Sequence, residues 1–192
     1  MKNKILIVAL LLVVVVGALV YNKNQTKQES KQSAQELKIQ RDISEIRKFS
    51  DSSDLAVQYE SESKSSNGKN VSVGIYIAGA DRYEVDVNGK IIEFGSRNIP
   101  VGSENEKKYD YTSRYNQQEL ETMAHQFIVK NLSDVDLEKL TLTQGSKSVN
   151  NTTNYFFRWE NKSQKTTEGY PYIQVGFTQG GTLISYTNTL AF

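Results

Sequence analysis

Cysteine is absent from the 192-residue sequence, proline occurs twice and histidine once. The missing cysteine excludes a disulfide framework, thiolate zinc sites, thiol nucleophiles and the modified cysteine of a lipoprotein anchor. Two prolines exclude a proline-rich spacer. A lone histidine lacks the partners that zinc sites and catalytic triads require. Charge of one sign is lacking too, with 23 Lys+Arg against 22 Asp+Glu. No basic field is left to hold nucleic acid, and no acidic one to gather cations. Without disulfides the chain depends on its apolar core, and 11 Tyr, 7 Phe and one Trp are there to build it.

One long apolar run is present, Ile5 to Val20, following Lys2 and Lys4 and closed by Tyr21. It sits at the short end of a membrane-spanning helix, ~17–25 residues, and slightly above the apolar part of a cleaved signal, ~7–15 residues. Val16-Gly17-Ala18 is a passable cleavage site but not a clean A-x-A. A retained transmembrane signal anchor over 5–21 is therefore the reading adopted, with cleavage as the alternative. Residues 1–4 then remain cytoplasmic and the bulk lies outside the cell membrane, in a single pass. Lys23, Lys27 and Lys31 beyond the run argue for the reverse orientation.

Residues 22–33 are polar and read as a stalk. From Ala34 to Phe49 an apolar stripe of Ile39, Ile43, Ile46 and Phe49 predicts a helix packing on the domain. Residues 61–70, SESKSSNGKN, read as a mobile loop. Val71, Val73, Ile75 and Ile77 alternate with Ser72, Gly74 and Tyr76 in a strand. Tyr83–Val87 and Lys90–Phe94 flank Asn88-Gly89, which predicts a hairpin with a type I′ turn. Asp81, Glu84 and Asp86 read as charges that solvate this hairpin. Asn116 with Glu119 fits a capping box, and Leu120, Met123, Ala124, Phe127 and Ile128 share one face of the helix that follows. Four strands come next, at Leu140–Thr143, Thr153–Glu160, Pro171–Thr178 and Thr182–Thr187. The order predicts an α+β fold, a helix laid on an antiparallel sheet.

The stretch Gln117 to Thr187 resembles the PepSY-like domains, including the YcdB/YcdC-type repeats of bacterial envelope proteins. Three features carry the resemblance: the amphipathic helix, the aromatic strand Phe156-Phe157-Arg158-Trp159-Glu160, and the hairpin from Tyr172 to Tyr186 around Gly180-Gly181. Thr178 stands where the family usually has Asp. The earlier hairpin, Tyr83 to Phe94, keeps that acid as Asp86 but lacks the Trp-type strand before it. The resemblance implies a cystatin- or PepSY-like architecture, with a reduced unit over 34–113 and a complete one over 114–192. It also implies binding or inhibition of a protein partner outside the cell, such as a protease, rather than chemistry.

Nothing in the chain assembles a catalytic set. His125 stands off the apolar face of its helix, one turn after Glu121, and reads as a solvent-facing residue rather than a base or a ligand. Asp134, Asp136 and Glu138 lack the spacing and glycine of a calcium loop. No phosphate-binding glycine loop and no G-x-S-x-G occur. No cofactor, metal or nucleic acid is expected. Strand alternation points Tyr155, Phe157, Trp159, Ile173, Val175 and Phe177 toward the helix. Phe156, Arg158, Tyr172 and Gln174 then face the other way. Aromatic residues and arginine are enriched where proteins bind one another, so these four are the candidate protein-binding residues; an ordinary solvated face is the alternative. The sequence thus describes a membrane-anchored, extracytoplasmic, non-catalytic binding or regulatory module, with a structural subunit of a cell-envelope assembly as the competing reading.

Overall fold

The computed structural model describes residues 33–67, 70–96, 109–149 and 152–190. The chain divides into two compact units, Met1–Arg41 and Asp42–Phe192. No helix among the described residues is long and apolar enough to cross a membrane. The expected span at 5–21 lies outside the described residues, as does the stalk up to residue 32.

Helix α1 covers 33–49. Its C-terminus closes with Asp51 at φ 54. The Asp51 amide donates to the Lys48 carbonyl at 3.2 Å and the Ser52 amide to the Arg47 carbonyl at 3.0 Å, a paired closure that satisfies two orphan carbonyls. Four strands follow: β1 (Gln58–Lys64), β2 (Ser72–Ala78), β3 (Asp81–Asp86) and β4 (Ile91–Ser96). Helix α2 (Gln117–Asn131) starts at the expected capping box. The Asn116 side chain accepts from the Glu119 amide at 3.0 Å, and the Glu119 carboxylate from the Asn116 amide at 2.8 Å. After a short 3-10 turn, β5 (Thr141–Val149), β6 (Thr152–Glu160), β7 (Tyr172–Thr178) and β8 (Leu183–Asn188) complete the chain.

All eight strands form one antiparallel sheet in the order β1-β2-β3-β4-β8-β7-β6-β5. Each half is a helix followed by a four-stranded meander, and the halves join through their last strands. The first half is therefore not reduced to a hairpin. Its β1, Gln-Tyr-Glu-Ser-Glu-Ser-Lys, is almost wholly exposed. An edge strand of this kind needs few apolar residues, which is why the segment reads as a loop in sequence.

One continuous row of opposed residues crosses the sheet: Tyr59, Tyr76, Tyr83, Phe94, Tyr186, Val175 and Phe157. Six of the seven are aromatic. Phe49 of α1 meets this row, with ring centroids 6.2 Å from Tyr83, 5.9 Å from Phe94 and 5.2 Å from Tyr186. Phe127 of α2 sits 5.1 Å from Phe49 and 5.8 Å from Tyr186. Both helices thus cover the same face, and their phenylalanines touch above the β4–β8 seam. Leu120, Ala124 and Ile128 bury the rest of the α2 stripe, and Trp159, Ile173 and Phe177 lie buried in the sheet. Fully burying an apolar side chain of this size contributes about 1.5–3 kcal/mol. The α1 stripe holds a surprise: Asp42 is buried beside Ile46, and its carboxylate accepts from the Tyr76 hydroxyl at 2.7 Å.

The β3–β4 turn also departs from expectation. Gly89 has φ 87, whereas no positive φ occurs at Asn88, so the turn is not type I′. The Gly89 amide donates to the Asp86 carbonyl at 3.1 Å and the Asp86 amide to the Lys90 carbonyl at 2.9 Å. This is a three-residue loop with its left-handed position at glycine. The Asp86 carboxylate selects it, accepting from the amides of Asn88 and Lys90 at 2.8 Å each.

Candidate interaction surface

The face opposite the helices carries a second row, one residue out of step with the aromatic one. It runs Ile75, Glu84, Glu93, Thr187, Gln174, Arg158 and Thr143. Its two ends differ in burial and in charge.

In the first half the row is closed over. Ile75 is 2% exposed and Glu84 0%, with Val73 and Ile92 buried around them. Glu84 pairs with Arg82 at 2.5 Å. The Ser66 amide donates to both Glu84 oxygens, at 3.3 and 3.0 Å, which draws the β1–β2 loop back across this face. Glu93 lies opposite Glu84. Burial raises its carboxyl above the ordinary value; a hydrogen bond from the Ser66 hydroxyl works against that, and the Glu84 charge adds to it. Asp81 and Asp86 are buried as well, Asp81 accepting from the Tyr109 hydroxyl at 2.9 Å. Asp81, Glu84 and Asp86 therefore do not solvate the hairpin, since each has a specific donor that offsets the loss of water.

In the second half the row stays half-open. Phe156, Arg158, Tyr172 and Gln174, the four residues singled out from sequence, come together on this one face. Arg158 and Gln174 are directly opposed, and the guanidinium Nε and Nη2 both donate to the Gln174 Oε1, at 2.9 and 2.7 Å. The guanidinium carbon lies 4.0 Å from the Tyr172 ring centroid. Glu160 stands 3.8 Å from Nη1 and is also paired with Lys162. Arginine is thus held in one orientation before anything binds it, which lowers the side-chain entropy lost on association. Phe156 is opposed by Gly176. A Cβ at Gly176 would come within 2.8 Å of the Phe156 ring and 2.4 Å of the Ser185 hydroxyl, so the glycine makes room for the phenylalanine to lie flat on the sheet. Asn154 Oδ1 and Ser185 Oγ are two of the buried polar atoms without a hydrogen-bond partner among the described residues.

A separate cleft of about 430 Å³ opens between the C-terminal ends of the helices, floored by Phe49, Ile91 and Tyr186. Its three lysines are each paired: Lys48 with Glu45 at 2.6 Å, Lys90 with Asp134 at 2.7 Å and Lys130 with Asp51 at 3.2 Å. With its lysines paired and both helix C-termini adding partial negative charge, the cleft offers no uncompensated cation to hold an anion. His125 is exposed on α2. Asp134 is taken by Lys90, while Asp136 caps the 3-10 turn through the Glu138 amide and pairs with Lys139. Each of these acids therefore has a structural task.

Sequence alternation was enough to group the four candidate residues. The Ser66–Glu84–Glu93 latch and the role of Gly176 were missed. A signal for the first existed: β2 is apolar at both parities, which marks a strand buried on both faces. No family model, no curated protein and no solved structure matches this chain.

Proposed function

We propose that the chain is a non-catalytic binding module, held at the outer surface of a cell membrane by residues 5–21, that engages a protein partner through the open half of its second sheet face. The observation that carries this reading is the preset arginine: Arg158 fixed by Gln174, stacked on Tyr172 and flanked by Phe156. The partner it fits presents a carboxylate or carbonyl edge toward the remaining guanidinium donors and apolar surface toward Phe156. A tether confines the module to the membrane surface and raises its effective concentration toward neighbours there. The order of one helix and four antiparallel strands, present twice, supports a PepSY-like reading of both halves. In that reading the activity is stoichiometric, such as inhibition of a protease.

The test installs a photoreactive side chain at Phe156 in the full chain in native membranes, with Val87, an exposed turn residue on the other half, as control. A discrete crosslinked protein from position 156 and not from 87 is expected. Arg158→Ala should then weaken binding of that protein by about tenfold or more. Equal crosslinking from both positions would refute the surface. Turnover of a substrate by the purified chain that disappears with His125→Ala or Glu121→Gln would refute the non-catalytic reading.

A further inference from the structure

The two margins of the sheet are built differently. Strand β1 packs Glu60, Glu62 and Lys64 into seven residues and breaks its register between Tyr59 and Ser61. Charges and bulges are the usual means by which an edge strand avoids pairing with another chain. Strand β5 has no such break and carries fewer charges. Its nine residues run in unbroken register against β6, from Thr141 opposite Glu160 to Val149 opposite Thr152. Lys147 is its single charge, it contains no proline, and Gly145 stands at its midpoint. Thr141 and Thr143 are exposed.

We infer that β5 pairs antiparallel with β5 of a second copy of this chain, about a two-fold axis at Gly145. That register pairs all nine residues. Thr141 meets Val149 of the second copy, Thr143 meets Lys147, and Gly145 meets Gly145. No like charges are opposed. The same operation on β1, centred on Ser61, would set Glu60 against Glu62 twice, and like charges directly opposite each other destabilise a strand pair. The charge pattern therefore blocks self-pairing at one margin and permits it at the other. The axis stands perpendicular to the sheet, so the helices of both copies lie on one side and both second faces on the other. Phe156 neighbours Gly145 in the ladder. The row across the seam thus runs Phe156, Gly145, Gly145 and Phe156, with no side chain between the two phenylalanine positions. Two copies of the patch become one continuous surface. This dimer goes beyond the proposed binding function and stands on the edge geometry alone.

Opposed Cα atoms in an antiparallel pair are roughly 4.5–5.5 Å apart, within reach of a disulfide, and the native chain contains no cysteine. Gly145→Cys in the membrane-bound full chain should give a disulfide-linked dimer on mild oxidation, while Ser61→Cys stays monomeric. Adding Thr143→Lys sets two lysine pairs face to face and should lower dimer formation about tenfold. Adding Lys147→Glu to that variant converts them to opposite-charge pairs and should restore it. A Gly145→Cys chain with native circular dichroism that remains monomeric would overturn the inference, as it would if another protein occupied β5. Equal linkage from Ser61→Cys would overturn it as well. Should Gly145→Cys fail to fold, sedimentation of the unsubstituted chain decides: a monomer whose mass Thr143→Lys leaves unchanged refutes the pairing.

Discussion

The two halves of the sheet share one plan and use it differently. Beneath the helices they are alike: Tyr76, Tyr83 and Phe94 on one side of the seam correspond in burial to Phe157, Val175 and Tyr186 on the other. On the second face they diverge. Strand β2, Ser-Val-Gly-Ile-Tyr-Ile-Ala, has apolar residues at both parities and is buried on both faces. Strand β6 alternates more strictly, with Phe157 and Trp159 buried and Phe156 and Arg158 half-open. A helix-plus-meander can therefore be closed into a two-sided core or left with one face for a partner. The difference lies in the residues at alternate positions, not in strand order. In this chain the first half is the more fully enclosed, and the second keeps an ordered surface.

The largest effect that sharpens the comparison comes from neighbouring residues on opposite faces. Phe157→Ala opens a cavity in the core and should cost about 3–5 kcal/mol of unfolding free energy. Phe156→Ala, one residue away, should cost about 1 kcal/mol. Urea titration of both variants measures the difference, and equal losses would mean that the two faces of β6 are equally enclosed.

A comparison along the second-face row comes next. Ile75→Ala and Gln174→Ala change residues on the same face in different halves. The first should cost about 2–4 kcal/mol, since the cavity cannot drain to solvent; the second should stay below about 1 kcal/mol. If Ile75→Ala is as mild as Gln174→Ala, the β1–β2 loop does not hold the first half closed.

These contrasts show how far the sequence could be read. The capping box at Asn116 and the alternation of β6 and β7 were legible because each rests on local geometry, a cap spacing or a two-residue period. The hairpin at Asn88-Gly89 was legible in place but not in type. The Asp86 side chain binds two turn amides and so favours the three-residue loop, a local competitor that dipeptide preference ignores. Strand β1 was illegible, because an edge strand with Tyr59 as its inward residue has the composition of a loop. Asp42 and Glu84 were illegible for another reason. Asp42 accepts from the Tyr76 hydroxyl 34 residues away, and Glu84 from the Ser66 amide 18 residues away as well as from its near neighbour Arg82; no local period encodes the distant partners. Of the candidate surface, alternation revealed its members but not the pairing of Arg158 with Gln174, which requires the strand register.

The smallest effect concerns Glu93, at the boundary between the enclosed and open halves. Its carboxyl is raised above the ordinary value of 4.5, chiefly by burial, with Glu84 adding to the rise and the Ser66 hydroxyl and Arg82 opposing it. The folded state therefore keeps this proton at a pH where the unfolded chain has released it. Over that window the folded state binds more protons, so stability falls as pH rises. The contribution is complete below about 4.5 and lost once pH exceeds the raised folded value. Asp134, held below the usual range first by its Lys90 hydrogen bond, acts in the opposite sense, losing stability only as pH falls further. Comparing Glu93→Gln with the parent at each pH cancels that background. Glutamine keeps the shape of the protonated acid, so the variant should match the parent in acid and exceed it at neutral pH. The gain should remain below about 1 kcal/mol, because a half-exposed group is screened by solvent. Thermal unfolding from pH 4 to 8 reads the difference. A gap that is constant with pH, or widest in acid, would mean that Glu93 is not held in the dry environment that the Ser66 latch and the β1–β2 loop create.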